Sequence, residues 1–319
     1  MDKKICVVGA GYWGKNHIRT LSRLNVLKGI VELDVNLLEN ILNKYPGIKG
    51  HSGVKEALLE DYDGFTIATP AKTHFELAKI IINAKKHILI EKPMTLTVEE
   101  AEELVKLSKL NQVNAMVGHV LLFHPAVKMI KELIDNGEIG ELQYLYSNRL
   151  NLGKVRTEEN VFWSLAPHDI AIFQYLTGSI PTKINATGST FLQKGIPDST
   201  LTQLEYENGV KGHVFVSWLH PFKEHRLVVI GSESMISFED SLEEKPLKLY
   251  SKKIDIKSGI PEKVDGPVKM VRYEKRMPLD IELEYFVNHL SKGKPKISNI
   301  EHGCEVVKTL VDASEQILI

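Results

Sequence analysis

Three short clusters in this 319-residue sequence carry residue types able to do chemistry. The first is Gly9-Ala10-Gly11-Tyr12-Trp13-Gly14, with glycines at the spacing of a phosphate-cradling turn. Gly9 allows a tight turn, Gly11 lets backbone approach a pyrophosphate, and Gly14 permits close packing of helix on strand. A helix opening there offers its N–H groups and positive dipole end to the anion. About 20 residues on stands Glu32, at the end of a predicted second strand, where a carboxylate suits both hydroxyls of an adenosine ribose. It repels a 2′-phosphate, so NAD is the expected cofactor rather than NADP. Asp34 is the alternative acid. Tyr12 and Trp13 are large for such a turn, and both covering the cofactor and simple packing stay open. A glycine turn without a nucleotide is the bland alternative.

The second cluster is Thr69-Pro70 with His74, followed by Glu91-Lys92-Pro93-Met94. Each ends a predicted strand, and ligands of open parallel sheets sit at the carboxyl ends of strands. Thr69, Pro70, His74, Glu91 and Lys92 are therefore placed at the cofactor. A lysine fixed before proline at such an end suits stabilisation of an alkoxide developing during hydride loss. A solvated lysine is the competing reading.

The third cluster is the basic run from Arg149 through Asn151, Lys154 and Arg156, leading to Trp163 and His168. Closely spaced cations suit a substrate diphosphate or carboxylate. A solvated loop balanced by Glu158 and Glu159 is the bland reading. An imidazole titrating near neutrality, as at His168, suits proton removal from a sugar hydroxyl. Its alternative is a helix-start histidine bonded to backbone.

These residues need elements to hold them. Over the first 120 residues short apolar runs alternate with helical periodicity: strands at 4–8, 29–33, 63–68, 87–90 and 114–117, helices at 12–24, 37–42, 74–84 and 97–109. That order implies right-handed crossovers and a doubly wound parallel sheet. After Gly118 comes one more helix, 125–136, and then closely spaced strands at 142–148, 183–190, 201–206, 212–218 and 226–231. These predict a large open, mainly antiparallel sheet with helices on one face, one of them over 166–176. Two helices close the chain, near 280–291 and 302–317. The strand pattern is weakest over 239–277. The fold class is thus α/β plus α+β: a Rossmann dinucleotide-binding domain over 1–120 and a substrate-binding and oligomerisation domain over 121–319.

Composition narrows the function classes. Forty Lys+Arg against 41 Asp+Glu give a net charge of −1, which argues against a nucleic-acid partner. No apolar run approaches the roughly 18 residues of a membrane span, so no membrane partner is expected. The amino terminus lacks a signal-peptide pattern, and the expected location is cytoplasmic. Cys6 and Cys304, the two cysteines, read as buried thiols in a reducing compartment rather than a disulfide. No Cys-x-x-Cys pattern provides a zinc site, and no metal is expected.

Together the glycine turn, Thr69-Pro70 with His74, and Glu91-Lys92-Pro93 resemble the Gfo/Idh/MocA oxidoreductases. The likeness continues through Gly137-Glu138-Ile139-Gly140 and Gly293-Lys294-Pro295, nearly the whole chain. It implies an NAD(P)-dependent enzyme acting on a CH–OH group. It further implies that Lys92 is the catalytic lysine, and that the open second sheet makes a homodimer or homotetramer. The family commonly has an aspartate four residues before a helix-start histidine; here His168 takes the histidine position and Ser164 the aspartate's. The stretches 118–125 and 148–169 resemble a subgroup acting on nucleotide sugars, the UDP-N-acetylglucosamine and UDP-N-acetylglucosaminuronate 3-dehydrogenases. The implied activity is NAD-dependent oxidation of the C3 hydroxyl of a UDP-N-acetylhexosamine in glycan biosynthesis. His168 would be the base and Lys92 the oxyanion stabiliser, with the reverse division open. Arg149, Asn151, Lys154, Arg156 and Trp163, together with Lys92 and His168, would contact the UDP-sugar. An inositol or free-sugar dehydrogenase of the same family is the alternative, and a non-catalytic NAD-binding sensor or scaffold is the alternative of another class.

Overall fold

Ile5–Val8 (β1) is wholly apolar because it is central, buried on both faces of a parallel sheet. In the computed structural model, which describes residues 3–153, 155–157 and 159–317, β1 leads into α1 (Gly14–Arg23). There follow β2 (Leu27–Val31), α2 (Val35–Leu42), β3 (Lys49–His51), a single helical turn α3 (Val54–Ala57) and β4 (Gly64–Ile67). Then come α4 (His74–Asn83), β5 (His87–Glu91), α5 (Val98–Asn111) and β6 (Ala115–Gly118). The six strands lie in the order β3-β2-β1-β4-β5-β6, all parallel. Strand order reverses between β1 and β4, which opens a crevice at their carboxyl ends. The start of α5 is visible in the sequence as Thr97-x-x-Glu100: Thr97 Oγ1 accepts from Glu100 N at 3.2 Å.

The remaining elements are α6 (Pro125–Asp135), β7 (Leu142–Leu152), α7 (Val161–Thr177), β8 (Pro181–Ser189), β9 (Ser199–Tyr206) and β10 (Lys211–Ser217). They continue with β11 (Leu219–Gly231), β12 (Met235–Glu239), β13 (Leu247–Lys257), β14 (Ile260–Met270), α8 (Pro278–His289) and α9 (Ile300–Ile317). The second sheet has the order β14-β13-β12-β11-β7-β10-β9-β8. Among the described strands of this second sheet, only β7 with β10 is a parallel pair. Helix α7 packs on one face, against β7, β9 and β10. Strand β7 alternates accordingly, with Leu145, Ser147 and Arg149 buried and Tyr144, Tyr146 and Asn148 half-buried on the opposite face.

Two elements depart from the sequence reading for clear reasons. Strand β7 runs on to Leu152, so the first part of the expected basic loop is sheet, paired with β10 and β11. Residues 239–277 hold the long hairpin β13–β14, whose exposed positions mix Lys, Asp and Glu with Ile254, Ile256 and Ile260. With little of either face buried, the period-2 signal is lost.

The chain divides into two compact units. One comprises Met1–Phe123 with Arg276–Lys308, the other His124–Lys275 with Thr309–Ile319. A cut at 120/121 assigns 276–308 to the second domain, whereas the structure packs that segment into the first unit. Thr20 Oγ1 donates to Asp280 Oδ1 at 3.2 Å, Arg23 pairs with the same carboxylate, and Ser298 Oγ donates to the Val117 carbonyl at 2.6 Å. Cys6 and Cys304 are free and buried. Among the described residues no helix is long and apolar enough to cross a membrane.

Candidate functional site

In the first unit the glycine turn behaves as its spacing demands. Gly9 has φ +91°, and a Cβ there would sit 2.7 Å from Thr69 Cγ2. A Cβ on Gly14 would lie 2.0 Å from the Gly9 carbonyl oxygen, so α1 packs directly on the turn. Around Gly11 there is open space. Beside it lies a cleft of about 520 Å³, lined by Gly9, Gly11, Glu32, Leu33, Thr69 and Pro70 among others. The donors and dimensions fit a dinucleotide: exposed backbone at Gly11, a helix N-terminus, and a carboxylate at the cleft edge.

Glu32 is fixed more firmly than a free ribose ligand. Its Oε2 accepts from Ala10 N at 2.8 Å, and Oε1 from Leu33 N at 2.8 Å and Asp34 N at 3.1 Å. A carboxylate has about four acceptor sites, so roughly one remains for a ribose hydroxyl rather than two. Asp34 instead caps α2, accepting from Leu37 N at 3.1 Å. Thr73 Oγ1 donates to the Pro70 carbonyl at 2.7 Å, which leaves Thr69 Oγ1 to donate to Thr73 at 2.7 Å.

Other cofactor candidates take different roles. Tyr12 is 89% exposed and outside the cleft lining. His74 is buried, with Nδ1 2.8 Å from the Pro93 carbonyl and Nε2 2.9 Å from the Thr69 carbonyl. Burial pushes its pKa down, partly offset by those two carbonyls. The ring braces the carboxyl ends of β4 and β5 instead of presenting a nitrogen to a ligand. Glu91 likewise turns inward, towards Trp13, His17 and the Lys92 N–H. Lys92 itself is half-buried, one residue beyond β5. Beyond Gly118, the fully buried His119 lies edge-on to His302 at 5.7 Å. Burial, then His302 and Lys92, lower its pKa well below the usual range, so it stays a neutral ring.

In the second unit the basic run comes apart. Arg149, 8% exposed, holds Asp169 with Nε to Oδ2 at 2.8 Å and Nη2 to Oδ1 at 2.9 Å. Burial opposes its charge, but Asp169 outweighs that and holds its pKa above the usual value. Ser147 Oγ also donates to Asp169 Oδ1, at 2.6 Å. Arg149 is thus an internal ion pair, a correction to its assignment as a diphosphate ligand. Arg156 is exposed and paired with Glu159 at 3.0 Å; Lys154 lies outside the described residues. Asn151, half-buried on β7, crowds Gly153, where a Cβ would stand 2.5 Å from its side-chain oxygen. Trp163 donates its indole N–H to Ser314 Oγ at 2.8 Å, so its polar edge also faces protein.

Half-buried His168 sits on α7, whose amino end is capped by Asn160 Oδ1 accepting from Trp163 N at 3.0 Å. Pro167 lies inside the helix and removes the N–H that would bond to the Trp163 carbonyl. Ser164, one turn before His168 and buried, gives that face a hydroxyl in place of a carboxylate.

Sequence reasoning passed over three buried titratable residues. His17 follows Trp13 at i+4, which puts both on one face of the helix start. Glu282 falls on the apolar stripe of Leu279, Leu283 and Phe286, an acid at a core position. His119 directly follows Gly118 at the end of β6.

Comparison with known proteins gives a family and several relatives. Residues 3–119 match the model of the oxidoreductase family with an NAD-binding Rossmann fold, and residues 127–237 that of the GFO/IDH/MocA C-terminal domain. UDP-N-acetylglucosamine 3-dehydrogenase of Acidithiobacillus ferrooxidans is 26% identical over 91% of this chain and 89% of its own. A solved structure of that enzyme, GnnA, superposes with TM-score 0.87 over 99% of this chain and 97% of its own, at 24% identity. Myo-inositol 2-dehydrogenase of Thermotoga maritima is 25% identical over 94% of this chain and 92% of its own. GenD2 from gentamicin A biosynthesis, solved with NAD, shares the fold at TM-score 0.82 and 20% identity, covering 99% and 94% of the two chains.

Proposed function

Because the chain belongs to the Gfo/Idh/MocA oxidoreductases and carries their NAD-binding domain, we propose that it oxidises the C3 hydroxyl of a UDP-N-acetylhexosamine to the 3-keto sugar. The hexosamine would be UDP-N-acetylglucosamine or its uronate. The observation that carries this reading is the similarity to a UDP-N-acetylglucosamine 3-dehydrogenase, which spans nearly the full length of both chains. The basic run does not carry it, since Arg149 is held by Asp169.

NAD, when bound, supplies the hydride acceptor. Gly9, Gly11, Gly14, Glu32, Thr69 and Pro70 hold and orient it. Lys92 is the residue that stabilises the developing alkoxide, and His168 takes the hydroxyl proton. The half-buried sheet face around Tyr146 and His213, whose rings stack at 5.2 Å, is the surface proposed to pair copies into a dimer or tetramer.

A second reading, a polyol dehydrogenase, is favoured by the full-length similarity to an inositol dehydrogenase and by the internal role of Arg149. Thermal-shift measurements with NAD present separate the two. A ligand specific for the native state raises its melting temperature. A shift with UDP-N-acetylglucosamine or its uronate, accompanied by NADH formation, is the expected result; a shift and turnover with inositol alone would replace it.

A further inference from the structure

We propose that Glu91 is a positioning residue and not a cofactor ligand: its carboxylate fastens the Gly9–Gly14 turn to the main chain of Lys92. The proposal rests on the reading of Lys92 as the catalytic lysine.

Glu91 ends β5 and is 7% exposed. Its Oε1 accepts the Trp13 indole N–H and the His17 Nε2–H, the latter at 2.8 Å. Its Oε2 accepts the Lys92 N–H at 3.3 Å. Trp13 is the residue immediately before α1, and His17 lies one turn inside it. One carboxylate, 78 positions from Trp13 in sequence, therefore joins the start of the cofactor helix to the residue after β5. Space for it is built into the sheet. Gly118 pairs with Glu91 across β5 and β6, and a Cβ there would lie 2.9 Å from the carboxylate.

A second acid fixes where the charge resides. Glu282 on α8 is fully buried, neither oxygen has a hydrogen-bond partner among the described residues, and it faces Glu91 electrostatically. An ion without donors in such a place costs far more than a neutral acid. Glu282 is therefore the protonated member and Glu91 the anion on which three donors converge. Unlike Glu32, Glu91 is 7% exposed and outside the cleft lining, so its remaining acceptor capacity does not face the cleft.

The consequence is a tether. Displacing Trp13 displaces Glu91, and with it the Lys92 backbone. Glu91→Gln keeps the size but replaces one acceptor oxygen by a donor. In the free protein it should move the Trp13 indole N–H proton resonance upfield. Trp13→Phe, which removes a donor from the far end of the tether, should speed hydrogen exchange of the Lys92 amide by about tenfold. At saturating NAD, Glu91→Gln should lower kcat by about 10- to 100-fold, with the NAD dissociation constant changed less than about threefold. The double variant should be no worse than the weaker single variant, because both break one linkage. Unchanged Lys92 exchange in Trp13→Phe, or NAD affinity lost in Glu91→Gln with kcat intact, overturns the proposal. Circular dichroism of each variant confirms folding. If Lys92→Ala keeps its turnover, the parent reading fails while the resonance and exchange measurements still report on the tether.

Discussion

Arg149 and Asp169 form a two-pronged buried ion pair between β7 and α7, one residue from His168. The Asp169 carboxylate, adjacent to His168 in sequence, is engaged by Arg149 and Ser147. Its effect on His168 is to fix the helix on which the imidazole rides.

Arg149→Met should therefore act on stability first. Removing one partner leaves Asp169 as an uncompensated buried charge, a loss of about 3–5 kcal/mol. Urea unfolding followed by circular dichroism measures it. A loss under about 1 kcal/mol, with substrate binding abolished, would restore Arg149 as a ligand.

Lys92→Ala should lower turnover by about 10²- to 10⁴-fold, the usual range for loss of a positioned proton-handling group. The NAD dissociation constant should stay within about threefold, since the cleft lining does not include Lys92. Steady-state NADH formation and fluorescence titration with NADH give the two numbers. Activity near the parent level excludes Lys92 from the chemistry.

Glu32→Ala should relax the cofactor choice. It removes the carboxylate that opposes a 2′-phosphate, and with it the bond to Ala10 N. The ratio of kcat/KM for NAD over NADP should fall by about tenfold, a change of ~1.4 kcal/mol. An unchanged ratio assigns discrimination elsewhere in the cleft.

Glu282→Gln should stabilise the protein, increasingly so as pH rises. Burial, then the neighbouring Glu91, raise the Glu282 pKa well above the ordinary carboxyl value of 4.5. In the window between 4.5 and the raised folded value, the unfolded chain has released this proton while the folded one keeps it. Stability from this group is complete below the window and declines through it at up to about 1.4 kcal/mol per pH unit. Glutamine does not titrate, so the variant's advantage in urea midpoint should grow between pH 5 and pH 8. A constant difference would mean that Glu282 is ionised in the fold.

The features legible in the sequence are those whose cause is local. Gly9, Gly11 and Gly14 show their roles by spacing, and β1, β4 and β5 by continuous apolar runs bounded by turns. Features fixed by distant partners are not legible. Arg149 reads as a solvent-facing cation until Asp169, 20 residues on, is seen across from it. His74 carries the motif position of a ligand, yet both ring nitrogens meet backbone oxygens from two different turns. Helix α8 joins the first unit through Asp280, whose partners Thr20 and Arg23 lie some 260 residues earlier.

That last packing bears on the order in which the protein comes into being. A chain emerging from its amino terminus presents all six strands of the parallel sheet by Gly118, but not α8 or the start of α9. Until residue 289 has been made Asn114 lacks the His289 carbonyl, and until residue 298 has been made Val117 lacks Ser298. The nucleotide-holding unit is thus begun before the second unit and finished only after most of it, so a nascent chain halted after the first sheet is an incomplete folding unit.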